Sequence, residues 1–344
     1  MPAEPSIDSP GEFPLATVAC FDPTTSGLPR RHLDDAANRE FLSRLAAAGA
    51  QSLLIAASTG HGHLRTVDEL EAWFRSSAKA DIGGAVLMAL LRPEDRPEDN
   101  ARLLRTLAEL HYAAVFIRPG TNLKPTADDE AVADNMRPLV EMADEAGLPV
   151  GLYSIPDVSG VPLTADAAAR LVQGPAGERI VAVKVTEPDF ETSTLRFLEH
   201  AALSHLKIVQ GWDLHLARAL RESPRCGVTS GPMSFAVYQY LHILQCARRG
   251  DWDEVAYAQK AVGALFASMQ DDPRRFADLQ RAKYIMGLGH PLTGEVSTPQ
   301  SERVLETLEA LARPADLRRL ARSLDLMSNG PYHQRLAGLY ADEQ

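Results

Sequence analysis

The sequence predicts an α/β protein, a (β/α)8 TIM barrel with a C-terminal helical extension. Three observations support this fold class. Eight short apolar runs have the length of buried parallel strands, amphipathic helical stretches alternate with them, and the segment after residue 250 has helical patterns without a strand-like run. Eight strand–helix units in about 250 residues fit a closed barrel better than an open, doubly wound sheet. An open sheet would also need a glycine-rich phosphate loop, G-x-G-x-x-G, which residues 21–27 lack.

The expected strands are the apolar runs between the helical stretches. They cover residues 15–20, 52–56, 85–90, 113–117, 149–153, 180–185, 206–209 and 226–229. A helical stretch separates each run from the next, and such crossover connections join parallel strands.

The expected helices are marked by apolar residues at helical spacing. The first carries Ala37, Phe41, Leu45 and Ala48 on one face, and the fourth carries Val132, Met136, Leu139, Val140 and Ala143. Pro138 lies inside the fourth pattern and conflicts with an uninterrupted helix, because proline removes a backbone donor.

Capping residues agree with these helices. Thr66 and Glu69 have the spacing of a capping box, and Thr164 can cap a later helix. Gly49 and Gly147 stand where helices should stop, since glycine readily adopts the left-handed backbone of a C-terminal cap.

Three segments are expected along the chain. Residues 1–12 would form a flexible tail, 13–250 the barrel and 251–344 a C-terminal helical segment. The helices expected in the last segment cover residues 251–269, 274–286, 301–312 and 315–326.

Composition and charge restrict the class of partner. The chain has 35 basic and 46 acidic residues, a net charge of −11, which argues against a nucleic-acid partner. No apolar run has the length of a membrane span, and residues 1–8 lack the pattern of a signal peptide. We therefore expect a cytoplasmic protein with a small-molecule ligand and no membrane partner.

The cysteines and histidines give little indication of a metal. Cys20, Cys226 and Cys246 have no C-x-x-C spacing and cannot all pair. His61 and His63 have no carboxylate nearby at ligand spacing. We expect neither a disulfide framework nor a metal site.

Lys184 is the most informative residue, because it interrupts the apolar run 180–185. Burial favours the neutral form of an amine, and a neutral amine condenses with a ketone to form a Schiff base. The alternative is a lysine at the end of an edge strand that extends its ammonium group to water.

Polar residues also follow other strands of the predicted barrel, where such enzymes carry their active sites. Tyr153 ends the fifth strand, and 58–61 (Ser-Thr-Gly-His) follows the second. A tyrosine hydroxyl can protonate a leaving carbinolamine hydroxyl, and the hydroxyls and N–H groups of a Ser-Thr-Gly turn can hold a carboxylate. Tyr153 as a barrel-rim aromatic and 58–60 as a plain turn are the structural alternatives.

The chain resembles the dihydrodipicolinate synthase and N-acetylneuraminate lyase family of class I, pyruvate-type aldolases. Residues 57–61 (Ala-Ser-Thr-Gly-His) are similar to its G-[ST]-[TN]-G-E loop, and 152–156 resembles its Y-N-x-P strand end. Residues 180–184 are similar to its lysine strand, and 209–213 with 227–230 resemble its G-x-D and G-x-x-S segments. The resemblance covers approximately residues 13 to 325.

The resemblance implies a role for each matching residue. Lys184 would form the Schiff base with a 2-oxo acid, and Tyr153 would relay protons. The substrate-binding residues would be Ser58, Thr59, Gly60, His61, Arg118, Gly211 and Thr229. No cofactor is implied beyond the covalent Schiff base on Lys184, and the assembly would be a homodimer or homotetramer.

Departures from the family pattern bear on the substrate. His61 replaces a glutamate and is either a base or a structural substitute. Residues 117–122 lack the relay tyrosine that synthases lend to a neighbouring subunit, Ser154 replaces asparagine, and 157–160 lacks the synthases' carboxylate-binding arginine. Arg118 is a candidate for a second anion or a sugar-acid hydroxyl, with a surface ion pair as the alternative.

The expected function is that of a Schiff-base-forming lyase, an aldolase acting on a 2-oxo acid. The substrate would be a 2-keto-3-deoxy sugar acid or a related hydroxy-keto acid. A dehydratase using the same enamine and a non-catalytic barrel that binds a keto acid are the alternatives. The departures argue against the lysine-biosynthetic dihydrodipicolinate synthase itself.

Overall fold

The fold is built around one sheet of parallel strands. The computed structural model describes residues 15–16, 32–229, 231–269, 310 and 312–327. The strands are β1 (Leu15–Ala16), β2 (Ser52–Ile55), β3 (Val86–Leu91), β4 (Ala114–Ile117), β5 (Val150–Ser154), β6 (Ile180–Val185), β7 (Lys207–Gln210) and β8 (Cys226–Val228). Each pairs in parallel with the next, and β1 contacts the 3-10 turn Pro232–Phe235 after β8, so the sheet curls back on itself. The predicted TIM barrel is confirmed.

Helices connect the strands and cover the outside of the sheet. They are α1 (Asp35–Ala47), α2 (Val67–Ser77), α3 (Pro97–Glu109), α4 (Asp129–Glu145), α5 (Pro156–Ser159), α6 (Ala165–Val172), α7 (Thr194–Glu199), α8 (Leu216–Glu222), α9 (Val237–Arg249), α10 (Trp252–Met269) and α11 (Pro314–Met327). Among the described residues, none of these helices is both long and apolar enough to cross a bilayer.

The predicted helix caps are confirmed. The Thr66 hydroxyl accepts a 3.2 Å hydrogen bond from the Glu69 amide, and the Glu69 carboxylate accepts one of 2.8 Å from the Thr66 amide. The Thr164 hydroxyl caps α6 by accepting a 3.1 Å hydrogen bond from the Ala167 amide. Gly49 and Gly147 have φ angles of +107° and +73°, which favour glycine and end α1 and α4.

Helix α4 is continuous through Pro138, despite the conflict that its sequence raises. The predicted apolar face is buried as a whole: Val132, Met136, Leu139, Val140 and Ala143. Burial of this face offsets the backbone hydrogen bond that proline cannot make.

The strand bounds follow the apolar runs closely. β6 covers the predicted residues 180–185, whereas β2 stops at Ile55 because Ala56 has a left-handed φ of +60°. Residues 17–20 of the first expected strand, with Cys20, lie outside the described residues.

The C-terminal part is helical. α10 and α11 correspond to the expected helices 251–269 and 315–326, and both pack against α9. The Gln239 amide of α9 donates hydrogen bonds to the Ala258 carbonyl at 3.0 Å and to Asp316 at 2.9 Å, which joins all three helices. The expected helix 274–286 lies outside the described residues, as does 301–312 except for residues 310 and 312.

Inside the barrel, an apolar layer supports the carboxyl ends of the strands. Leu54, Met88, Leu90 and Phe116 are buried in one cluster with Tyr153. Gly151 belongs to this layer because a Cβ there would lie 2.4 Å from the Phe116 ring. Glycine therefore lets the Phe116 ring fill the interior one layer below Tyr153.

Candidate active site

Lys184 lies near the carboxyl end of β6 and faces the barrel interior. It pairs in register with Tyr153 of β5 and Val209 of β7, and it is 3% exposed. Burial lowers the pKa of its amine from 10.5 to about 7, although the nearby charge of Asp213 acts in the opposite direction. The lysine is thus not at the end of an edge strand with its head in water.

Tyr153 is the neighbour of Lys184 across the β5–β6 pair. The Lys184 Nζ lies 4.0 Å from the centre of the Tyr153 ring. Burial raises the pKa of the Tyr153 phenol, while the Thr186 and Ser58 hydroxyls and the charge of Arg118 oppose that rise. The phenol is therefore protonated at neutral pH and can donate a proton.

The turn after β2 places Ser58 beside Tyr153. Residues Ser58–Gly60 form a 3-10 turn, and His61 continues it with a left-handed φ of +58°. The chain folds tightly here because Gly62 lies against the Ala56 carbonyl, where a Cβ would come within 1.9 Å of the oxygen. Ser58 Oγ is buried and lies beside the Tyr153 hydroxyl, where it can also bind a ligand.

Arg92, directly after β3, holds the second 3-10 turn, Gly62–Leu64, which follows His61. Its Nη1 donates to the His63 and Arg65 carbonyls at 3.1 Å each, and its Nε donates to Asp95 at 2.8 Å. The guanidinium is thereby held on both sides, which fixes the chain directly after the Ser58–Gly60 turn.

Thr59, Gly60 and His61 lie in the same turn as Ser58. Gly60 and His61 are buried, and Thr59 is half-buried. The His61 ring lies 6.0 Å from the His63 ring, measured between centroids. A role for His61 as a base stays a prediction.

Gly211 and Thr229 follow β7 and β8 at the same end of the barrel. A Cβ on Gly211 would lie 2.1 Å from Thr186 Oγ1, so glycine makes room for that hydroxyl. The Gly211 amide donates to the Val185 carbonyl at 2.7 Å, and the fully buried Thr229 donates its amide to Gln210 at 2.9 Å.

Arg118 directly follows β4 and is fully buried. Its Nη2 donates to Glu94 Oε1 at 2.5 Å and its Nη1 donates to Glu94 Oε2 at 3.2 Å and to the Pro119 carbonyl at 2.7 Å. Burial opposes ionisation of Glu94, but Arg118 outweighs it and lowers the pKa of that carboxyl. This is an ion pair, as the structural alternative predicts, but its arginine is inside the protein.

Four further side chains belong to this end of the barrel, and sequence reasoning gave them no role. They are Thr186, Asp213, Glu94 and Glu187. Thr186 could have been found, since alternation places it on the same face of β6 as Lys184. Asp213 ends the quoted G-x-D pattern, and its carboxylate accepts a hydrogen bond from the Tyr240 hydroxyl of α9.

Glu187 follows β6 and contacts the residue after Tyr153 on β5. The Ser154 hydroxyl donates to Glu187 Oε1 at 2.5 Å and accepts from the Leu163 amide at 2.9 Å. Burial raises the pKa of Glu187, and the charges of Asp189 and Asp157 add to the rise. Asp157 lies in the segment where the synthases carry an arginine.

Two other observations concern ligand sites. Among the described residues, no group of three or more His, Cys, Asp and Glu side chains could hold a metal ion. A separate cavity opens at the amino ends of the strands and is lined by Val86, Val181 and Lys207 among others. The predicted site residues lie at the opposite end.

Comparison with known proteins identifies the family. The model of the dihydrodipicolinate synthetase family matches residues 136–313, which is more than half of the chain. The chain belongs to this family. It is therefore an enzyme of the lyase type, as the resemblance implied.

The chain aligns with one relative over most of that relative's length and with another over little more than half of it. The chain is 27% identical over 293 residues to N-acetylneuraminate lyase from Salmonella paratyphi B, covering 83% of this chain and 92% of the relative. It is 26% identical over 189 residues to 4-hydroxy-tetrahydrodipicolinate synthase from Corynebacterium aurimucosum, covering 55% of this chain and 58% of that synthase.

A solved structure with the same fold is a prophage protein of the dihydrodipicolinic acid synthase family from E. coli K12, in complex with pyruvate. It superposes with a TM-score of 0.72 at 17% identity and covers 87% of this chain and 98% of that chain. At 17% identity, this similarity shows that the two proteins share a fold.

Proposed function

We propose that the chain is a Schiff-base-forming aldolase that acts on a 2-oxo acid through Lys184. One observation carries this proposal. The Lys184 amine is buried beside Tyr153, with its pKa lowered to about 7, so a large fraction is neutral and nucleophilic at physiological pH.

The reaction would begin when the neutral Lys184 amine adds to the keto carbon to give a carbinolamine. Tyr153 donates its phenolic proton to the carbinolamine oxygen, the C–O bond breaks, and water leaves. The Lys184 nitrogen is then an iminium and Tyr153 a phenolate. The phenolate removes a proton from C3, or from the hydroxyl at C4 when the C3–C4 bond breaks, and both routes give an enamine.

The substrate carboxylate would be bound by the turn after β2. Ser58 Oγ is buried beside the Tyr153 hydroxyl and can donate to a carboxylate oxygen there. We assign the carboxylate to Ser58 and Thr59, with Gly60 and His61 completing the turn. Gly211 and Thr229 would form the wall on the β7–β8 side.

The electrophile would be a hydroxylated aldehyde, so that the cleaved substrate is a 2-keto-3-deoxy sugar acid or a related hydroxy-keto acid. The likeness to N-acetylneuraminate lyase supports this class. The charge of Asp157, which acts on Tyr153, also supports it, because this charge would repel a second carboxylate. Carboxylate oxygens can instead accept hydrogen bonds from hydroxyls.

Reductive trapping tests the proposal. The protein is treated with borohydride in the presence of pyruvate and analysed by mass spectrometry with peptide mapping. We expect a reduced pyruvate adduct on Lys184 that is lost in Lys184→Ala. Lys207→Ala is the matched control, because it removes another barrel lysine from the opposite end and should trap normally. No adduct with pyruvate or with a panel of 2-oxo acids would contradict the Schiff base.

Product analysis then distinguishes aldolase from dehydratase. With a panel of 2-keto-3-deoxy sugar acids, an aldolase releases pyruvate and an aldehyde, and we expect this outcome. A dehydrated keto acid with no aldehyde would assign the enamine to dehydration. An adduct without any turnover on this panel would favour a barrel that only binds keto acids.

The proposed reaction needs no metal or organic cofactor, because the Lys184 iminium itself accepts the electron pair. We also propose that the enzyme works in the cytoplasm as a homodimer or homotetramer. Size-exclusion chromatography with light scattering tests the assembly, and a monomeric mass would exclude it.

A further inference from the structure

We propose that Arg118, fixed by Glu94, is a positioning residue for proton transfer: its guanidinium stabilises the phenolate that Tyr153 becomes after protonating the carbinolamine. This inference rests on the proposed function, and it gives Arg118 a role different from that of an anion-binding residue.

The register of β4 and β5 places the two side chains next to each other. Phe116 pairs with Gly151 and Ile117 pairs with Leu152, so Arg118 and Tyr153 are the next neighbours along the two strands. The Phe116 ring occupies the space beside Gly151 in which a side chain would otherwise lie, inside the barrel.

Arg118 and Tyr153 lie one layer nearer the carboxyl ends of the strands than Phe116 and Gly151. Because side chains two residues apart share a face, Arg118 lies above Phe116 and Tyr153 above Gly151, both inside the barrel. Both are buried, at 0% and 2% exposure, and neighbouring strands are about 4.8 Å apart.

The charge of Arg118 cannot turn towards solvent. Glu94 holds both terminal nitrogens, the Pro119 carbonyl accepts a third hydrogen bond, and Thr121 Oγ1 donates to Glu94 at 3.3 Å. A buried guanidinium needs such a partner, since an unpaired charge there would be costly. The bidentate pair therefore fixes a cation beside Tyr153.

One N–H donor of Arg118 makes no hydrogen bond within the part of the chain that the structure describes. Its Nε is buried and has no hydrogen-bond acceptor. A buried N–H without a partner is unfavourable in the resting protein, and an oxygen that becomes anionic during the reaction would satisfy it. The Tyr153 oxygen is such an atom.

Glu94 does not cancel this effect at Tyr153. Arg118 stands on the strand next to Tyr153, whereas Glu94 follows β3, one strand farther away. In agreement with this order, the charge of Arg118 lowers the pKa of Tyr153, and the carboxylate that raises it is Asp157, which follows β5. The nearer positive charge dominates.

The same contacts argue against Arg118 as the site of a second anion. A carboxylate of the substrate would have to displace Glu94 from both terminal nitrogens. Stabilising the Tyr153 phenolate requires no such exchange.

Hydrogen–deuterium exchange of pyruvate tests this role without knowledge of the aldehyde. In D2O the enamine returns deuterium to C3, and NMR follows the loss of the methyl signal. We expect Arg118→Met to slow exchange at least about tenfold, because one unit in the phenol pKa corresponds to a factor of ten. Arg118→Lys keeps the charge and should retain at least about a third of the wild-type rate.

The two variants separate charge from shape. Lysine cannot reproduce the bidentate pair with Glu94, so a purely structural Arg118 would make Arg118→Lys as slow as Arg118→Met. That result, or an Arg118→Met rate within about threefold of wild type, would overturn the inference. The double variant Glu94→Gln/Arg118→Met leaves no unpaired buried charge; it should melt near wild type and still exchange slowly.

A Tyr153→Phe background provides the second measurement. If Arg118 acts through Tyr153, Arg118→Met should slow iminium formation less than about twofold there, measured as the rate of cyanoborohydride trapping. Equal effects in both backgrounds would contradict the inference. The proposed function fails in different measurements: the Schiff base fails if wild-type protein forms no adduct with pyruvate or the panel of 2-oxo acids, and aldol cleavage fails in the product analysis.

Discussion

The Lys184 Nζ lies over the face of the Tyr153 ring, 4.0 Å from its centre, and the two residues pair across β5 and β6. A ring face favours the ammonium form of a lysine. Burial outweighs this attraction, so the pKa of Lys184 falls to about 7 while that of Tyr153 rises. One pair of neighbouring strands thus presents a nucleophile and a proton donor together.

The pH dependence of trapping should follow the Lys184 amine. Only the neutral amine attacks pyruvate, so the initial rate of cyanoborohydride trapping should rise about tenfold per pH unit below pH 7 and level off above about pH 8. Initial rates between pH 5.5 and 9 measure this profile. A rate that still rises tenfold per pH unit up to pH 9, as for a lysine with the ordinary pKa of 10.5, would contradict the assignment.

Removing the charge of Lys184 should stabilise the fold. The folded-state pKa lies below the unfolded value of 10.5, so the folded protein binds fewer protons and wild-type stability rises between pH 7 and 10.5. Lys184→Met should therefore increase the free energy of unfolding by roughly 2 to 4 kcal/mol near pH 7 and by little above pH 10.5. Urea unfolding at several pH values measures this difference, and a destabilised variant at pH 7 would refute it.

Tyr153→Phe should slow deuterium exchange by about 10² to 10⁴-fold, because it removes the proton donor and leaves the ring in place. The amount of adduct after long borohydride trapping should remain close to that of wild type. Thermal melts serve as the control for folding. Wild-type exchange in this variant would mean that another group transfers the proton.

Gly211→Ala should destabilise the protein by about 1 to 3 kcal/mol, because the new Cβ would lie 2.1 Å from Thr186 Oγ1. The double variant Gly211→Ala/Thr186→Ala removes that oxygen and should recover most of the stability. Denaturant unfolding of the four proteins of this cycle gives the coupling. Additive effects would show that the two residues do not meet.

Asp213→Asn should move the acidic limb of the trapping profile to lower pH, because the charge of Asp213 raises the pKa of Lys184. The control is Tyr240→Phe, which removes the hydrogen bond to Asp213 and keeps the charge. The midpoint of the trapping profile of Tyr240→Phe should stay closer to that of wild type. An unchanged midpoint in Asp213→Asn would remove Asp213 from the electrostatics of the site.

The sequence predicts the elements better than the contacts between them. Residues 180–185 form β6 as expected, because a continuous apolar run is a local signal. Pro138 predicts an interruption that α4 does not have, because burial of the apolar face of α4 outweighs the local preference of proline against a helix interior.

Contacts between distant residues are harder to predict. Lys184 could be placed near Tyr153, since the barrel aligns strand ends and both residues end neighbouring strands. The pairing of Arg118 with Glu94 joins loops 24 residues apart, and the hydrogen bond of Tyr240 to Asp213 joins α9 to the turn after β7. No local pattern links the two members of either pair, and so these contacts required the structure.

The Phe116 ring above Gly151 has a kinetic consequence. It closes the barrel interior one layer beneath Lys184, so small molecules must approach the amine from the carboxyl ends of the strands. Pyruvate bound to Lys184 would then lie deeper in the barrel than an aldehyde that binds after it. A barrel closed on that side would give compulsory-order kinetics, with the keto acid binding first during synthesis and leaving last during cleavage.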